Sequence, residues 1–260
     1  MGLIAWLGGL VGKPARHPLP DATWERVLRR AAWTSLLDPA ARARLREFTE
    51  RFLADKAITP VGNLVLDEER RALVAMLCCR PVLYLDYGWL RGWHELILYP
   101  GAFRTRRHDY DEHTGVVSEF DDELAGEAWD QGPLVLSWED VLASVDAPEE
   151  GFDVVVHEIA HKIDGLHDAM DGAPRLHVDE VRGWARDFQA AYDALCADVD
   201  RRREPPLDPY AAESPAEFFA VCSEYWFTAP AVLQSAYPKV ATRLEAFYGV
   251  PREVLGWHDH

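Results

Sequence analysis

Apolar positions recur at helical spacing over most of the chain. From Asp21 to about Ala57, Leu45, Phe48, Phe52 and Leu53 form a stripe against Arg-rich polar faces. Asp38-Pro39 interrupts it, so the segment predicts two helices. A short extended piece is expected around Leu64 to Leu66, followed by a helix from Asp67 towards Cys79 that Pro81 ends. Glu95-Leu96-Ile97-Leu98-Tyr99, closed by Pro100-Gly101, reads as a strand, as does Leu134-Val135-Leu136 after Gly132-Pro133. A further short strand is expected at Gly115 to Phe120. Helical pattern resumes at Trp138 to Val145, at about Phe152 to Asp164, at Val178 to Asp200, and from Ser214-Pro215 through Trp226. The sum is an α+β fold, mostly helical, with a small β-sheet in its first half. No linker forces a boundary, so residues 21–260 are expected to form a single domain behind an N-terminal tail, residues 1–20.

Composition narrows the function classes. With 260 residues, 48% hydrophobic content and 10 Trp, the chain can bury a sizeable core. Its 44 Asp plus Glu against 27 Lys plus Arg give a formal charge of -17, which repels phosphate backbones and anionic lipid. Direct nucleic-acid binding is therefore not expected, and a basic partner or substrate is favoured. Cys78, Cys79, Cys196 and Cys222 lack metal-ligand spacing and read as buried reduced thiols. The apolar stretch Gly2 to Gly12 is too short to span a bilayer, and Lys13-Pro14-Ala15-Arg16 after it is a poor signal-peptidase site. A cytoplasmic monomer without membrane insertion is the expectation.

The chemistry concentrates in His157-Glu158-Ile159-Ala160-His161, entered through Val154-Val155-Val156. Two imidazoles four positions apart lie on one helix face, one turn apart, where both can bind a single Zn²⁺ while Glu158 points at the open side of the ion as a general base. Ile159, Ala160 and Ile163 suit a buried helix, and Gly165 is a plausible stop. Lys162 dissents, because a charge directly after the second His requires an exposed helix edge or a snorkelling side chain. An ordinary amphipathic helix with two exposed His would show the same five letters.

A catalytic zinc needs a third protein ligand. His167 follows His161 by six residues, the metzincin spacing, but that pattern places a glycine where this chain has Asp164. Glu217, in Ser214-Pro215-Ala216-Glu217, is the other candidate. The same letters form a helix capping box, which would account for Glu217 without a metal. Tyr210, seven residues earlier, adds a phenol of the kind that steadies an oxyanion. Asp164, one turn beyond His161, is placed to orient an imidazole N–H. His94, His108, His113, His177, His258 and His260 have no defensible ligand spacing, although the terminal His258-Asp259-His260 could hold adventitious metal.

The separated segments His157-Glu158-x-x-His161-Lys162-x-Asp164, Pro209-Tyr210-Ala211-Ala212 and Pro215-Ala216-Glu217-Phe218-Phe219-Ala220-Val221 resemble, in order, the Mlc titration factor A family of bacterial zinc peptidases. Trp93-His94-Glu95, Ile97-Leu98-Tyr99-Pro100, Gln131-Gly132-Pro133 and Ser223-Glu224-Tyr225 extend the resemblance over about residues 20 to 250. A Tyr seven residues before the Glu is also similar to the catalytic domain of anthrax lethal factor, which points to the gluzincin group. The resemblance implies that His157, His161 and Glu217 hold one catalytic zinc ion, with Glu158 as base and Tyr210 at the carbonyl. It further implies aminopeptidase-like action on short peptides and binding to a repressor of the Mlc type. Within the family Lys162 is a shared trait. Two other readings stay open: a repressor-binding protein with a structural zinc, and a metzincin-like protease using His167.

Overall fold

The computed structural model describes residues 17–101, 132–146, 151–167 and 170–255. The strand expected at Gly115 to Phe120 lies outside the described residues. In the first third, helix α1 (Asp21–Arg30), a 3-10 turn (Ala32–Leu36), and helices α2 (Pro39–Asp55) and α3 (Glu68–Cys79) pack together. Their starts follow local chemistry. Asp38 accepts the Ala41 amide at 2.7 Å with Pro39 at the first helical position, and Asp67 accepts the Arg70 amide at 2.8 Å.

Three strands form a parallel sheet in the order β1 (Ala57–Pro60), β2 (Glu95–Tyr99), β3 (Leu134–Ser137). The register pairs Ile58 with Leu96 and Leu96 with Leu134, so that all three sit on the buried face. Strand β1 corrects the expectation of helix to Ala57 and an extended piece at Leu64 to Leu66. Only Ile58 of β1 is buried, too little alternation to announce a strand. What fixes it is tertiary: the Ala57 amide donates to His94 O and the Val61 amide to Leu98 O, continuing the β2 ladder at both ends. Just before β1, the buried Lys56 donates to the carbonyls of Leu90 and Trp93 and lies over the Trp93 ring.

The second half is helical: α4 (Trp138–Asp146), α5 (Val154–Asp164), α6 (Val178–Asp200), α7 (Pro215–Thr228), α8 (Pro230–Ala236) and α9 (Pro238–Tyr248). A 3-10 turn (Pro209–Ala212) precedes α7. Helix α5 lies along α7, and around both are the largest fully buried side chains, among them Trp184, Trp226, Phe218, Phe219 and Tyr248. Val155, Val156, Ile159, Ala160 and Ile163 are buried at 0% exposure, so α5 is a central helix whose polar residues must find partners inside the protein. No helix among the described residues is long and apolar enough to cross a membrane.

Candidate metal centre

Helix α5 begins where Asp153 accepts the amides of Val155 and Val156, each at 3.1 Å, and runs to Asp164. It continues as a 3-10 turn (Gly165–His167) instead of stopping at a left-handed glycine; Gly165 has φ -68°. His157 and His161 leave α5 one turn apart, with ring centroids 4.8 Å from each other. The neighbouring helix α7 supplies Glu217 from its first turn. Ser214 Oγ accepts the Glu217 amide at 3.1 Å, as a capping residue should. The Glu217 carboxylate, however, turns towards α5. Only the Ser214 half of the capping box is therefore formed among the described residues, and the carboxylate that would complete it faces the imidazoles instead.

The three side chains converge on a small triangle. His157 Nε2 lies 3.1 Å from His161 Nε2 and 3.1 Å from Glu217 Oε2, and His161 Nε2 lies 3.3 Å from that same oxygen. Ligands at 2.0–2.1 Å around a tetrahedral ion stand about 3.3–3.4 Å apart, so the triangle has the size of one face of a zinc tetrahedron. Glu217 Oε2 is buried with no hydrogen bond of good geometry among the described residues, although two imidazole nitrogens border it. Two nitrogen lone pairs and a carboxylate oxygen aimed at one point repel each other unless a proton or a metal cation lies between them. The donor set fits a divalent metal.

The electrostatics say the same. Burial opposes charge on His157, yet Glu217 and Glu224 at its two ring nitrogens outweigh burial and carry the imidazole up to about 10. Burial likewise works against ionising Glu217, and His157 with His161 overturns it, holding the carboxyl well below its usual range. The group as a whole demands positive charge at its centre. A metal ion would supply it with release of any proton held there.

Glu158 follows His157 on α5, half-buried, and its charge is felt by the His157 imidazole. Tyr210 stands across from that ring, centroids 6.1 Å apart, its amide held by Asp208 Oδ1 at 2.9 Å. His167 is exposed and outside the triangle; its ligand atom groups with Asp164 and Asp171.

The imidazole-orienting carboxylate in the structure is Glu224, not Asp164. Glu224 Oε1 lies 2.8 Å from His157 Nδ1, and Oε2 accepts the Asp153 amide at 2.7 Å. In the neutral ring that a metal ion would bind, the bond to Nδ1 fixes the tautomer with its Nε2 lone pair facing the triangle. Arg80 completes the support: it donates to Asp153 Oδ2 at 2.9 Å and to Phe227 O at 2.7 Å. Asp164 instead accepts the Gly172 amide at 2.8 Å, because the chain folds back over the end of α5 there. Glu224 was findable in principle, since it follows Glu217 by seven residues, two turns along one helix face. Arg80 offered no comparable signal, as its partner is 73 residues away.

The model of the glucose-regulated metallo-peptidase M90 family matches residues 12–249. The chain belongs to this M90 family. Its relatives include proteins called Mlc titration factor A. That of Cronobacter sakazakii is 36% identical over 250 residues, covering 95% of this chain and 92% of the relative. That of Escherichia fergusonii is 39% identical over 209 residues, 79% and 78% of the two chains, and that of an Enterobacter species 37% over 234, 88% and 87%. The M90 match begins at residue 12, so it takes in residues 12–20, which the sequence expectation had left outside. In this M90 chain Lys162 is no defect: its Nζ donates to Gly132 O at 2.9 Å and ties α5 to the approach to β3.

Proposed function

We propose that this M90 chain is a zinc-dependent peptidase of the gluzincin type, with His157, His161 and Glu217 as metal ligands. The observation that carries the reading is the donor triangle, whose 3.1, 3.1 and 3.3 Å edges suit a tetrahedral ion with its fourth position open. When bound, the zinc ion polarises the scissile carbonyl and brings the pKa of a water within reach of a carboxylate base. Glu158 takes the proton from that water and returns it to the leaving amine. Tyr210 donates a hydrogen bond to the carbonyl oxygen as negative charge develops, a contact whose removal costs about 10²-fold or more in rate. Glu224 holds His157 in the tautomer that exposes its Nε2 lone pair.

The substrate class we propose is short peptides, cut in aminopeptidase-like fashion, in a cytoplasmic setting that agrees with four cysteines free of disulfides. The relatives' name supports a second role, binding of an Mlc-type transcriptional repressor by the same single domain. The deciding experiment pairs zinc content with hydrolysis of a panel of short peptides. Glu158→Gln should retain zinc and lose hydrolysis, whereas Glu217→Ala should lose both. If Glu158→Gln cleaves peptides at the wild-type rate, the catalytic assignment is wrong and a binding protein with structural zinc becomes the better account.

A further inference from the structure

At the C-terminal end of α5, outside the triangle, the potential ligand atoms of Asp164, His167 and Asp171 all lie within 4.8 Å of one another. His167 and Asp171 are exposed, and an exposed acidic pair alone would signify nothing. Asp164 changes that. It is 0% exposed, and while its Oδ2 accepts the Gly172 amide, its Oδ1 has no hydrogen-bond partner among the described residues. Leaving a buried carboxylate oxygen unpaired is unfavourable, because the water it gave up is not replaced. Burial, joined by the nearby charge of Asp171, pushes the Asp164 carboxyl up to about 6 even though the Gly172 amide pulls it down.

We propose that Asp164, His167 and Asp171 form a second divalent-cation site, separate from the triangle, that takes a transition-metal ion of the Zn²⁺ or Mn²⁺ kind. Two carboxylates and one imidazole make a hard-to-borderline N/O donor set with two negative charges; it lacks the thiolates of a Cu(I) site and leaves positions for water. The formal charge of -17 raises the local concentration of cations. The loop that carries Asp171 gives the ion something to hold. Gly172 has φ +79°, its carbonyl accepts Trp184 Nε1 at 3.0 Å, and a Cβ there would stand 2.3 Å from Pro215 O. It is thus pressed against the first residue of α7, two positions before Glu217. An ion joining Asp164 to Asp171 pins this loop and, through it, the helix start that presents Glu217. The site stands whether or not the triangle performs hydrolysis.

The test uses the full chain, stripped with a chelator and titrated with Zn²⁺, counting bound ions per chain by calorimetry and elemental analysis. Wild type is compared with His167→Ala and Asp171→Asn, both surface changes that leave the fold intact, and with Glu217→Ala. Wild type should bind one ion more than His167→Ala or Asp171→Asn, and the rise in Tm on adding Zn²⁺ should shrink in both variants. Any metal on His258-Asp259-His260 is common to all the proteins and cancels. A count that falls with Glu217→Ala but is the same in wild type, His167→Ala and Asp171→Asn overturns the second site while leaving the triangle standing.

Discussion

Replacing Glu224 by Gln keeps the shape of the side chain and removes one of its two acceptors. In the wild type both oxygens are used, Oε1 on His157 Nδ1 at 2.8 Å and Oε2 on the Asp153 amide at 2.7 Å, and the residue is only 1% exposed. Whichever way the glutamine amide turns, its NH₂ faces an N–H donor, so one bond is lost. Losing the bond to His157 releases the imidazole from its tautomer; losing the bond to Asp153 loosens the start of α5 two turns before His161. A buried hydrogen bond to a charged acceptor is worth about 1.5–3 kcal/mol, and loss of a group that orients a metal-binding His typically weakens the metal about 10- to 100-fold, or about 1.4–2.8 kcal/mol. The two estimates agree. Zinc affinity measured by competition with a chromophoric chelator should therefore fall about 10- to 100-fold in Glu224→Gln. Thermal unfolding would be run alongside to establish that the variant is folded. A zinc Kd within about twofold of wild type, together with a lowered Tm, would refute the orienting role and leave Glu224 as a packing and capping residue.

Ser214→Ala removes the acceptor of the Glu217 amide, and should cost about 1 kcal/mol in urea unfolding and lower zinc affinity because α7 frays at its ligand-bearing turn. Lys162→Met keeps the aliphatic stem but not the bond to Gly132 O, with an expected loss of about 1 kcal/mol and unchanged zinc stoichiometry, checked by the same unfolding and by elemental analysis. Asp164 gives a pH test. Its folded-state carboxyl titrates at about 6 against an ordinary value of 3.8, so its protonated form contributes stability that is full below the ordinary value and lost as pH rises through the folded one. In chelated protein, wild type should lose on the order of 2–3 kcal/mol relative to Asp164→Asn between about pH 4 and about pH 7. Parallel urea midpoints for the two proteins would sink the prediction.

Periodic elements were legible because their stripes are long enough to count. Helix α6 was expected at Val178 to Asp200 and lies there; β2 was expected at Glu95 to Tyr99 and lies there. The starts of α2, α3 and α7 follow from an Asp or Ser whose oxygen meets an amide three residues ahead, a short-range bond that local sequence specifies. Strand β1 has no signature in the sequence, since four residues with one buried side chain carry no period, and its pairing partners in β2 lie 38 positions later.

The same division runs through the site. His157, Glu158 and His161 could be named from the sequence because a helix of 3.6 residues per turn fixes their mutual position within eleven residues of chain. Glu217 and Tyr210 could be nominated, but their convergence on that helix depends on α5 lying along α7, a packing decision made by many buried apolar contacts at once. Sequence alone could not choose between a carboxylate that caps and one that ligates; the fold lets Glu217 donate its amide to Ser214 and turn its oxygen to the imidazoles. Nor could it assign the orienting carboxylate. Asp164 was nearest along the helix, while Glu224 reached His157 across the interface, because hydrogen bonds select partners within about 3 Å of space whatever their separation in the chain. The chain's letters determined which donors exist and on which helix face they ride; tertiary packing decided which of them meet.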